Sequence, residues 1–341
     1  MTDKMNGNGF FHTQKSAASI KESSQESSID HRPQDFKEFI GQERIINNIK
    51  VFTDAAKANK KTLDHAIIHG PPGLGKTTIA TIIANNLNAN IRTISGPAIS
   101  KKGDMSAILS NLQANDVLFI DEIHRMPIQI EEVMYSAMED RKIDIVIGDG
   151  PGAKTITIPL QPFTLIGATT QLGMLSKPLL SRFGISLEME RYSNDQLSEI
   201  ISRFVVKNNF TIDNDAALAI AQRCRTTPRI ALRIARRIID FATVENSTHI
   251  TAQLTKHAFK QLLIYNKGLN ISDITYLKFL INVSQGRPTG LDTIAAGIEE
   301  DKKTIEEAIE PFLIQEGLIQ KTPKGRVPNI DNTDLCSLMK I

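Results

Sequence analysis

The sequence predicts an α/β fold in which a parallel sheet with flanking helices is followed by a helical domain and a small C-terminal domain. Three observations support this prediction. Two apolar runs, 117–120 and 163–168, each end in polar residues, which is typical of buried parallel strands. A glycine-rich loop, 70–77, lies between a third apolar run and a helical pattern. After Tyr192 the strand pattern disappears and helical periodicity replaces it.

Length and composition set the limits for this chain. Its 341 residues predict two or three domains, and its net charge of +2 means that any nucleic-acid contact depends on local patches. Two distant cysteines, Cys224 and Cys336, match no metal-binding spacing and favour a reducing compartment. No apolar run reaches the ~20 residues of a membrane span, and residues 1–30 lack a secretory core. We therefore expect a cytoplasmic protein that does not enter a membrane.

The chain is expected to begin with a disordered leader, because residues 1–30 are rich in Ser, Asn, Gln and Gly. The first predicted helix spans 43–58, where apolar residues at 45, 46, 49 and 52 share one face. Arg32 and Pro33 lie between these segments, and the residues alone leave open whether they form only an entry turn.

The loop Gly70–Thr77 satisfies the pattern G-x-x-x-x-G-K-[ST] between a predicted strand and a predicted helix. Its glycines, among them Gly73 and Gly75, leave room for backbone N–H groups to point at phosphate oxygens, and the helix start adds partial positive charge. Lys76 can reach the outer phosphates, and the hydroxyl of Thr77 can bind a magnesium ion. The sequence therefore predicts a site for ATP and Mg²⁺.

Two acids, Asp121 and Glu122, directly follow the apolar run 117–120. Ligands bind at the carboxyl ends of the strands in open α/β sheets. We predict that Asp121 holds magnesium, mostly through water, and that Glu122 polarises the attacking water. Four apolar residues and two acids are a weak signal alone, and the phosphate loop upstream makes it strong.

A further strand is predicted over 163–170, and it ends in Thr169 and Thr170. A hydroxyl at this end would sense the γ-phosphate or orient the water. The residues alone leave open a second interpretation, in which the threonines only cap the strand.

Two features around this strand have two interpretations each. The alternating pattern at 142–158 predicts a β-hairpin, which either docks a partner through exposed isoleucines or covers the edge of the domain. Arg182 is either a solvated charge or an arginine finger that acts in the site of a neighbouring subunit. The second role requires a ring.

The helical domain is predicted to contain helices over 195–208 and 215–225, and a third that starts with Thr227 as N-cap and Pro228 at N1. One face of the third helix is apolar. Four arginines occupy the other face, and most of them are expected to be solvated: Arg229, Arg233, Arg236 and Arg237. Arg229 is in the first turn and is the one expected against the nucleotide.

The C-terminal region predicts helices over 273–282, 291–298 and 303–316, a stop at Gly317, and then a strand, a turn and a strand. Three helices and a basic hairpin form a winged-helix pattern. Lys321, Lys324 and Arg326 would contact DNA phosphates from the wing, although a Lys/Arg turn is commonly just solvated.

From about Arg32 to Val327 the chain resembles the RuvB family of AAA+ motors. The resemblance rests on six segments that occur together: His69–Thr78, Asp116–Arg125, Ala137–Asp140, Phe163–Thr170, Ser181–Ile185 and Thr227–Ala231. It implies an ATPase that drives branch migration of Holliday junctions on double-stranded DNA. It also implies a homo-hexamer that works with RuvA, docked through hairpin 143–158, and with RuvC.

The resemblance also implies the domain limits and the roles of single residues. A large AAA+ domain would span 31–191, a helical lid 192–266 and a winged helix 267–341. Asp121 and Glu122 would form Walker B, with Thr170 as sensor 1, Arg182 as the finger and Arg229 as sensor 2. The residues implied to bind nucleotide are Arg32, Gly73, Gly75, Lys76, Thr77, Thr78, Glu139, Asp140, Tyr192 and Arg229.

The chain departs from the family pattern at three places. Gln171 stands where the family usually has arginine, Thr226 replaces a common glycine, and residues 328–341 lack the usual aromatic and basic tail.

Two other functions stay open from the sequence: a different AAA+ remodeller, such as a clamp-loader subunit or an unfoldase, and a DNA-binding scaffold with ATP as a structural ligand.

Overall fold

The computed structural model describes residues 32–147 and 154–340. The predicted leader at 1–30 and the turn of the predicted hairpin lie outside the described residues. Within the described part, every helix is too short or too polar to cross a lipid bilayer.

The first domain is a parallel five-stranded sheet in the order β2-β3-β6-β1-β7, with helices packed around it. Its strands are β1 (Ala66–His69), β2 (Ile91–Ser95), β3 (Val117–Asp121), β6 (Thr164–Thr169) and β7 (Ile185–Glu188). Its helices are α1 (Glu43–Ala58), α2 (Lys76–Leu87), α3 (Lys102–Ser110), α4 (Ile128–Glu139) and the single turn α5 (Lys177–Leu180).

The three central strands of this sheet, β3, β6 and β1, are nearly all buried because helices cover both faces. The sequence predicted these strands and α1 to within one residue at each end. The outer strands β2 and β7 were not predicted. In β2 exposed Arg92 and Thr93 interrupt the apolar residues, so the segment lacks the continuous apolar run of a central strand.

The predicted hairpin is present as two antiparallel strands, β4 (Lys142–Ile147) and β5 (Lys154–Pro159), which form a separate sheet. Ile145 lies opposite Ile156 in its register.

The second domain contains α6 (Asn194–Lys207), α7 (Asn214–Ala221), α8 (Pro228–Val244) and α9 (Ala252–Leu262), with the short strands β8 (Thr211–Ile212) and β9 (His249–Ile250). The predicted helix over 215–225 ends earlier than expected, at Ala221. Residues 222–226 form a loop in which Arg225 and Thr226 both have positive φ. This 222–226 loop leads directly into α8.

Helix α8 starts where the sequence predicted, with Thr227 at the N-cap and Pro228 in the first turn. The expected side-chain cap is wrong, because the Thr227 hydroxyl donates to the carbonyl of Arg225 at 2.8 Å and caps no helical N–H.

The C-terminal domain has its own apolar core, built around the fully buried Tyr276, Leu277 and Leu313. Its helices are α10 (Ile271–Lys278), continued by a π-helical turn at Phe279–Val283, then α11 (Leu291–Ile298), α12 (Lys302–Thr304), a π-helical turn at Ile305–Ile309, α13 (Glu310–Gln315) and α14 (Asn332–Leu338). Strands β10 (Ile319–Thr322) and β11 (Gly325–Pro328) form the predicted hairpin. Gly317 has φ +69°, which fits the predicted helix stop.

Candidate nucleotide-binding site

A cleft of about 640 Å³ lies where the carboxyl ends of β1, β3 and β6 face the helical domain. It brings together eleven residues that the sequence marked for this site: Arg32, Gly73, Gly75, Lys76, Thr77, Thr78, Asp121, Glu122, Thr170, Tyr192 and Arg229. These come from six separate segments of the chain.

The phosphate loop wraps around the Lys76 ammonium. Gly70, Gly73 and Gly75 all have positive φ, which side chains disfavour, so the backbone curls and ends at the start of α2. Nζ of Lys76 donates to the carbonyls of Gly70 at 2.8 Å and Pro71 at 2.9 Å. Burial lowers the pKa of Lys76, Asp121 opposes this change and Arg229 adds to it. The Lys76 ammonium is therefore held at the phosphate loop, where a bound anion would stabilise its charged form.

The helical domain packs directly on this loop. The N–H of Arg229 donates to the carbonyl of Gly73 at 3.3 Å. A Cβ on Gly73 would lie 2.8 Å from Cγ2 of Thr227 and 3.0 Å from Cβ of Arg229. The position of α8 relative to the phosphate loop therefore depends on the absence of a side chain at Gly73.

We expect Gly73→Ala to weaken ATP binding by about tenfold, because left-handed backbone costs an alanine about 1–2 kcal/mol and the methyl group pushes Thr227 away. Equilibrium titration with a fluorescent ATP analogue measures this. Gly103→Ala is the matched control, since open space surrounds its Cβ position. Equal affinities for the two variants would contradict the close packing.

The acids lie at the end of β3 and face the same cleft. Asp121 Oδ1 accepts the N–H of Glu122 at 3.0 Å, and Glu122 has φ +51°. The Glu122 carboxylate lies 3.1 Å from the guanidinium of Arg125. The hydroxyl of Thr77 and the Asp121 carboxylate suit Mg²⁺, which keeps several waters and needs few protein oxygens.

The threonine pair at the end of β6 divides into two environments. Thr170 lines the cleft. Thr169 is buried, and its hydroxyl shares a 3.0 Å hydrogen bond with His124 and accepts the N–H of Gln171 at 2.9 Å. Sequence analysis missed this link between β6 and the loop after β3. The only signal was a histidine two residues after the acid pair.

Tyr192 lies in the wall of the cleft and connects the first two domains. It is 4% exposed, and its hydroxyl donates to the carbonyl of Leu74 at 3.1 Å. Burial raises its pKa, so the phenol remains a neutral donor. Phe39, Ile40 and Leu232 add apolar surface to the same cleft, which suits a flat aromatic base.

A row of Lys and Arg side chains from α6 and α8 also lines the cleft, and the sequence predicted only Arg229 among them at the site. The expectation of a solvated side chain is correct for Arg237, which pairs with Asp240. It is wrong for Arg233 and Arg236, which line the cleft. Arg203 and Lys207 of α6 line the cleft beside them. Helical periodicity placed the α8 arginines on one face, but the sequence did not indicate that this face borders the site.

Arg182, Glu139 and Asp140 lie outside the chain's own cleft. Arg182 is one-quarter exposed, pairs with Glu139 at 2.6 Å and lies over the Tyr135 ring at 4.8 Å. Asp140 pairs with Lys142 at 3.2 Å. The expectation that Glu139 and Asp140 bind nucleotide is therefore not met within a single chain, because the end of α4 points to a different edge of the domain.

The three wing cations have different surroundings. Lys324 is exposed at the turn, and Lys321 is 52% exposed and lies 3.6 Å from Glu306. Arg326 is buried, and its Nε donates to Glu310 at 2.6 Å. The prediction that Arg326 contacts DNA is corrected by this geometry, because its guanidinium faces α13 and is occupied by a carboxylate.

We expect Arg326→Ala to lower the free energy of unfolding of the C-terminal domain by about 3 kcal/mol, because the buried Glu310 would lose both guanidinium hydrogen bonds and keep only the Tyr276 hydroxyl and the more distant Lys321 at 3.8 Å. Urea unfolding, followed by circular dichroism, measures the change. Lys324→Ala is the control and should leave the unfolding midpoint unchanged. Equal midpoints for both variants would show that the Arg326 contact adds no stability.

A phosphate loop on a parallel sheet, acids on the neighbouring strand and a helical lid over the cleft define a P-loop nucleotide-binding protein of the AAA type. Family models match all three domains: the RuvB P-loop domain at 31–189, the RuvB AAA lid domain at 192–265 and the RuvB C-terminal winged helix domain at 266–331. The chain belongs to the RuvB family.

Curated relatives and solved structures agree with this. The chain is 50% identical over 307 residues to the Holliday junction branch migration complex subunit RuvB of Orientia tsutsugamushi, which covers 90% of this chain and 94% of that one. It is 52% identical over 306 residues to the Helicobacter pylori subunit, covering 90% of each. The structure of the Thermotoga maritima RuvB Holliday junction branch migration motor matches with a TM-score of 0.76 and 43% identity, over 88% of this chain and 95% of that one.

Proposed function

We propose that this chain is an ATP-driven motor on double-stranded DNA that drives branch migration of Holliday junctions in recombination and repair. The observation that carries the proposal is the cleft in which the phosphate loop, the acid pair and Arg229 of the lid converge, in a chain of the RuvB family. The relatives named above are branch migration subunits, which supports this choice among AAA proteins.

The cleft residues divide the work of ATP hydrolysis. Lys76 and the loop N–H groups bind the phosphates, with Thr78 beside them on α2. Thr77 and Asp121 would hold Mg²⁺, which would neutralise charge on the phosphates. Glu122 orients the attacking water after its carboxylate leaves Arg125, and Thr170 lies near the reacting group. Arg32 and Tyr192 flank the base, and Arg229 ties the lid to the phosphates.

The proposed domain limits are 31–191 for the ATPase domain, 192–266 for the lid and 267–341 for the winged helix. Support comes from the three family matches and from the separate apolar core of the C-terminal domain. The ATPase domain and the lid share one apolar cluster, whereas the C-terminal domain buries a cluster of its own.

Arg182 is proposed to complete the site of a neighbouring subunit in a homo-hexameric ring. It lies outside its own cleft, and its guanidinium is still partly exposed beside Glu139. Glu139 and Asp140 are proposed to lie at the same subunit boundary and to meet the neighbour's nucleotide. The geometry suits a group that reaches across an interface.

The hairpin at 143–158 is proposed to dock RuvA, and the ring to work with RuvC. Thr155, Ile156 and Thr157 are exposed on β5, and the Ile156 side chain is 49% exposed. An exposed branched apolar residue on a strand outside the main sheet suits a protein partner.

The wing is proposed to contact phosphates through Lys321 and Lys324, with Arg326 holding the wing strand to α13. Phosphate contacts carry little sequence information, and affinity for DNA should fall steeply with salt.

The test is an assay with purified chain on a synthetic four-way DNA junction, with and without RuvA. We expect ATP-dependent conversion of the junction to duplex products, faster with RuvA, and ATP hydrolysis stimulated by DNA. Hydrolysis without junction movement would favour another AAA+ remodeller. ATP binding without turnover would favour a scaffold, and either result rejects the proposal.

A further inference from the structure

The 222–226 loop has a backbone shape that is unusual and well fixed. Arg225 and Thr226 have φ of 49° and 53°, values that residues other than glycine rarely adopt. The hydroxyls of Thr226 and Thr227 both donate to the Arg225 carbonyl, at 2.7 Å and 2.8 Å. The direction of the Arg225 side chain is therefore set by the loop and does not vary independently of it.

One side of this loop touches the nucleotide cleft. The carbonyl of Thr226 accepts the N–H of Tyr192 at 3.4 Å, and Thr227 and Arg229 lie against Gly73 of the phosphate loop. A shift of the phosphate loop or of Tyr192 therefore acts on the backbone of this loop.

The other side binds the winged helix through the Arg225 guanidinium. Its Nε donates to the carbonyl of Gly268 at 2.9 Å, its Nη2 pairs with Asp273, and its plane lies 4.0 Å from the centre of the Phe312 ring. The Arg225 and Asp273 side chains are 15% and 1% exposed, so water screens the pair little.

Two of the winged-helix partners of Arg225, Asp273 and Phe312, belong to elements that position the wing. Asp273 caps α10, since its Oδ2 also accepts the N–H of Asn270 at 2.8 Å. Phe312 lies on α13, the helix whose Glu310 binds Arg326 of the wing strand. The contacts therefore run continuously from the phosphate loop through Arg225 to the wing.

A lysine would not make this arrangement. The planar guanidinium stacks on Phe312 while donating to a carbonyl and a carboxylate, whereas an ammonium is a point charge without a stacking face. A second contact, from Asn266 Nδ2 to the carbonyl of Ser337 at 3.2 Å, joins the same two domains, so the loss of one contact does not separate them.

We infer that Arg225 is a positioning residue that fixes the winged helix to the lid, so that the lid and the DNA-binding domain move as one body when nucleotide changes the cleft. This inference rests on the proposed function and adds to it the residue through which ATP hydrolysis reaches the DNA. Asp273 and Phe312 are its partners.

The first experiment compares Arg225→Lys, Asp273→Asn and the double variant with wild type. The control is Arg237→Gln, a surface residue of α8 whose partner is Asp240. We expect ATP affinity and basal hydrolysis within about twofold of wild type. Junctions migrated per ATP should fall by about tenfold in each single variant and no further in the double variant.

Two results would overturn the inference: migration per ATP in Arg225→Lys equal to that of the control, or a loss of ATP affinity as large as the loss of migration. Failure of the wild-type chain to migrate junctions is a different result, because it rejects the proposed function.

A second experiment needs no variant of the contact itself. Fluorescent labels are placed on Cys336, which is exposed in the winged helix, and at position 244 of the lid through Val244→Cys, where the side chain is 82% exposed. Cys224 is buried and remains unlabelled. Energy transfer in a few labelled subunits among unlabelled ones should be the same with ADP and with a non-hydrolysable ATP analogue. A nucleotide-dependent change would show that the two domains move separately.

Discussion

Replacing Lys76 by alanine is expected to remove ATP hydrolysis almost completely, with a loss of at least about a hundredfold in kcat. The ammonium lies within the phosphate loop, 2.8 Å from the Gly70 carbonyl. It is also close enough to Asp121 for the carboxylate to oppose the lowering of its pKa. No other ammonium lies within this loop among the described residues, so its charge cannot be replaced locally.

Release of phosphate from ATP, with and without DNA, measures the effect of Lys76→Ala. Lys102→Ala is the matched control, since Lys102 forms an exposed ion pair with Glu132 on the outer surface. DNA binding should be retained by both variants because the wing lies in a separate domain. Turnover by Lys76→Ala at the rate of the control would reject the assignment of the phosphate site.

Replacing Arg182 by alanine is expected to lower kcat by about a thousandfold or more while ATP still binds, as for other arginine fingers. The reason is that Arg182 lies outside the cleft of its own chain and, under the proposed function, would act on a neighbour's nucleotide. A mixture of Arg182→Ala with Lys76→Ala should therefore recover activity. In a random equal mixture, about a quarter of the interfaces pair an intact loop with an intact finger.

Steady-state hydrolysis across a series of mixing ratios measures this recovery, with assembly checked by analytical ultracentrifugation. A chain carrying both substitutions is the control, because neither single variant can complement it. If the two single variants assemble together and stay inactive at every ratio, the site is not shared between subunits.

The structure shows the contacts of two residues that depart from the family pattern, Gln171 and Thr226. Gln171 follows the threonine pair, and its N–H binds the Thr169 hydroxyl, so its backbone belongs to the site even though its side chain differs from arginine. Thr226 takes positive φ, a conformation that glycine adopts freely, and its hydroxyl donates to the Arg225 carbonyl. The hydroxyl supplies local hydrogen bonding that a glycine would lack.

Much of the fold was predictable because its signals are local. The central strands appear as continuous apolar runs, since helices cover both faces of the sheet. The edge strand β2 was missed because exposed positions interrupt its apolar residues. The early end of α7 was missed because the loop that follows is held by threonine hydroxyls and by contacts with another domain.

By itself the sequence determined the phosphate loop, the acid pair and the order of the domains, because each depends on neighbouring residues whose backbone and periodicity can be inferred directly. Only the tertiary structure decided which charged side chains are exposed and which are buried against a partner. Lys324 and Arg326 are two residues apart, yet one is exposed and the other buried against Glu310. Arg225 is no more distinctive in sequence than Arg237. The function of a charged side chain depends on the partner that folding brings within about 4 Å, and for Arg225 and Arg326 that partner lies 48 and 16 residues away in the chain.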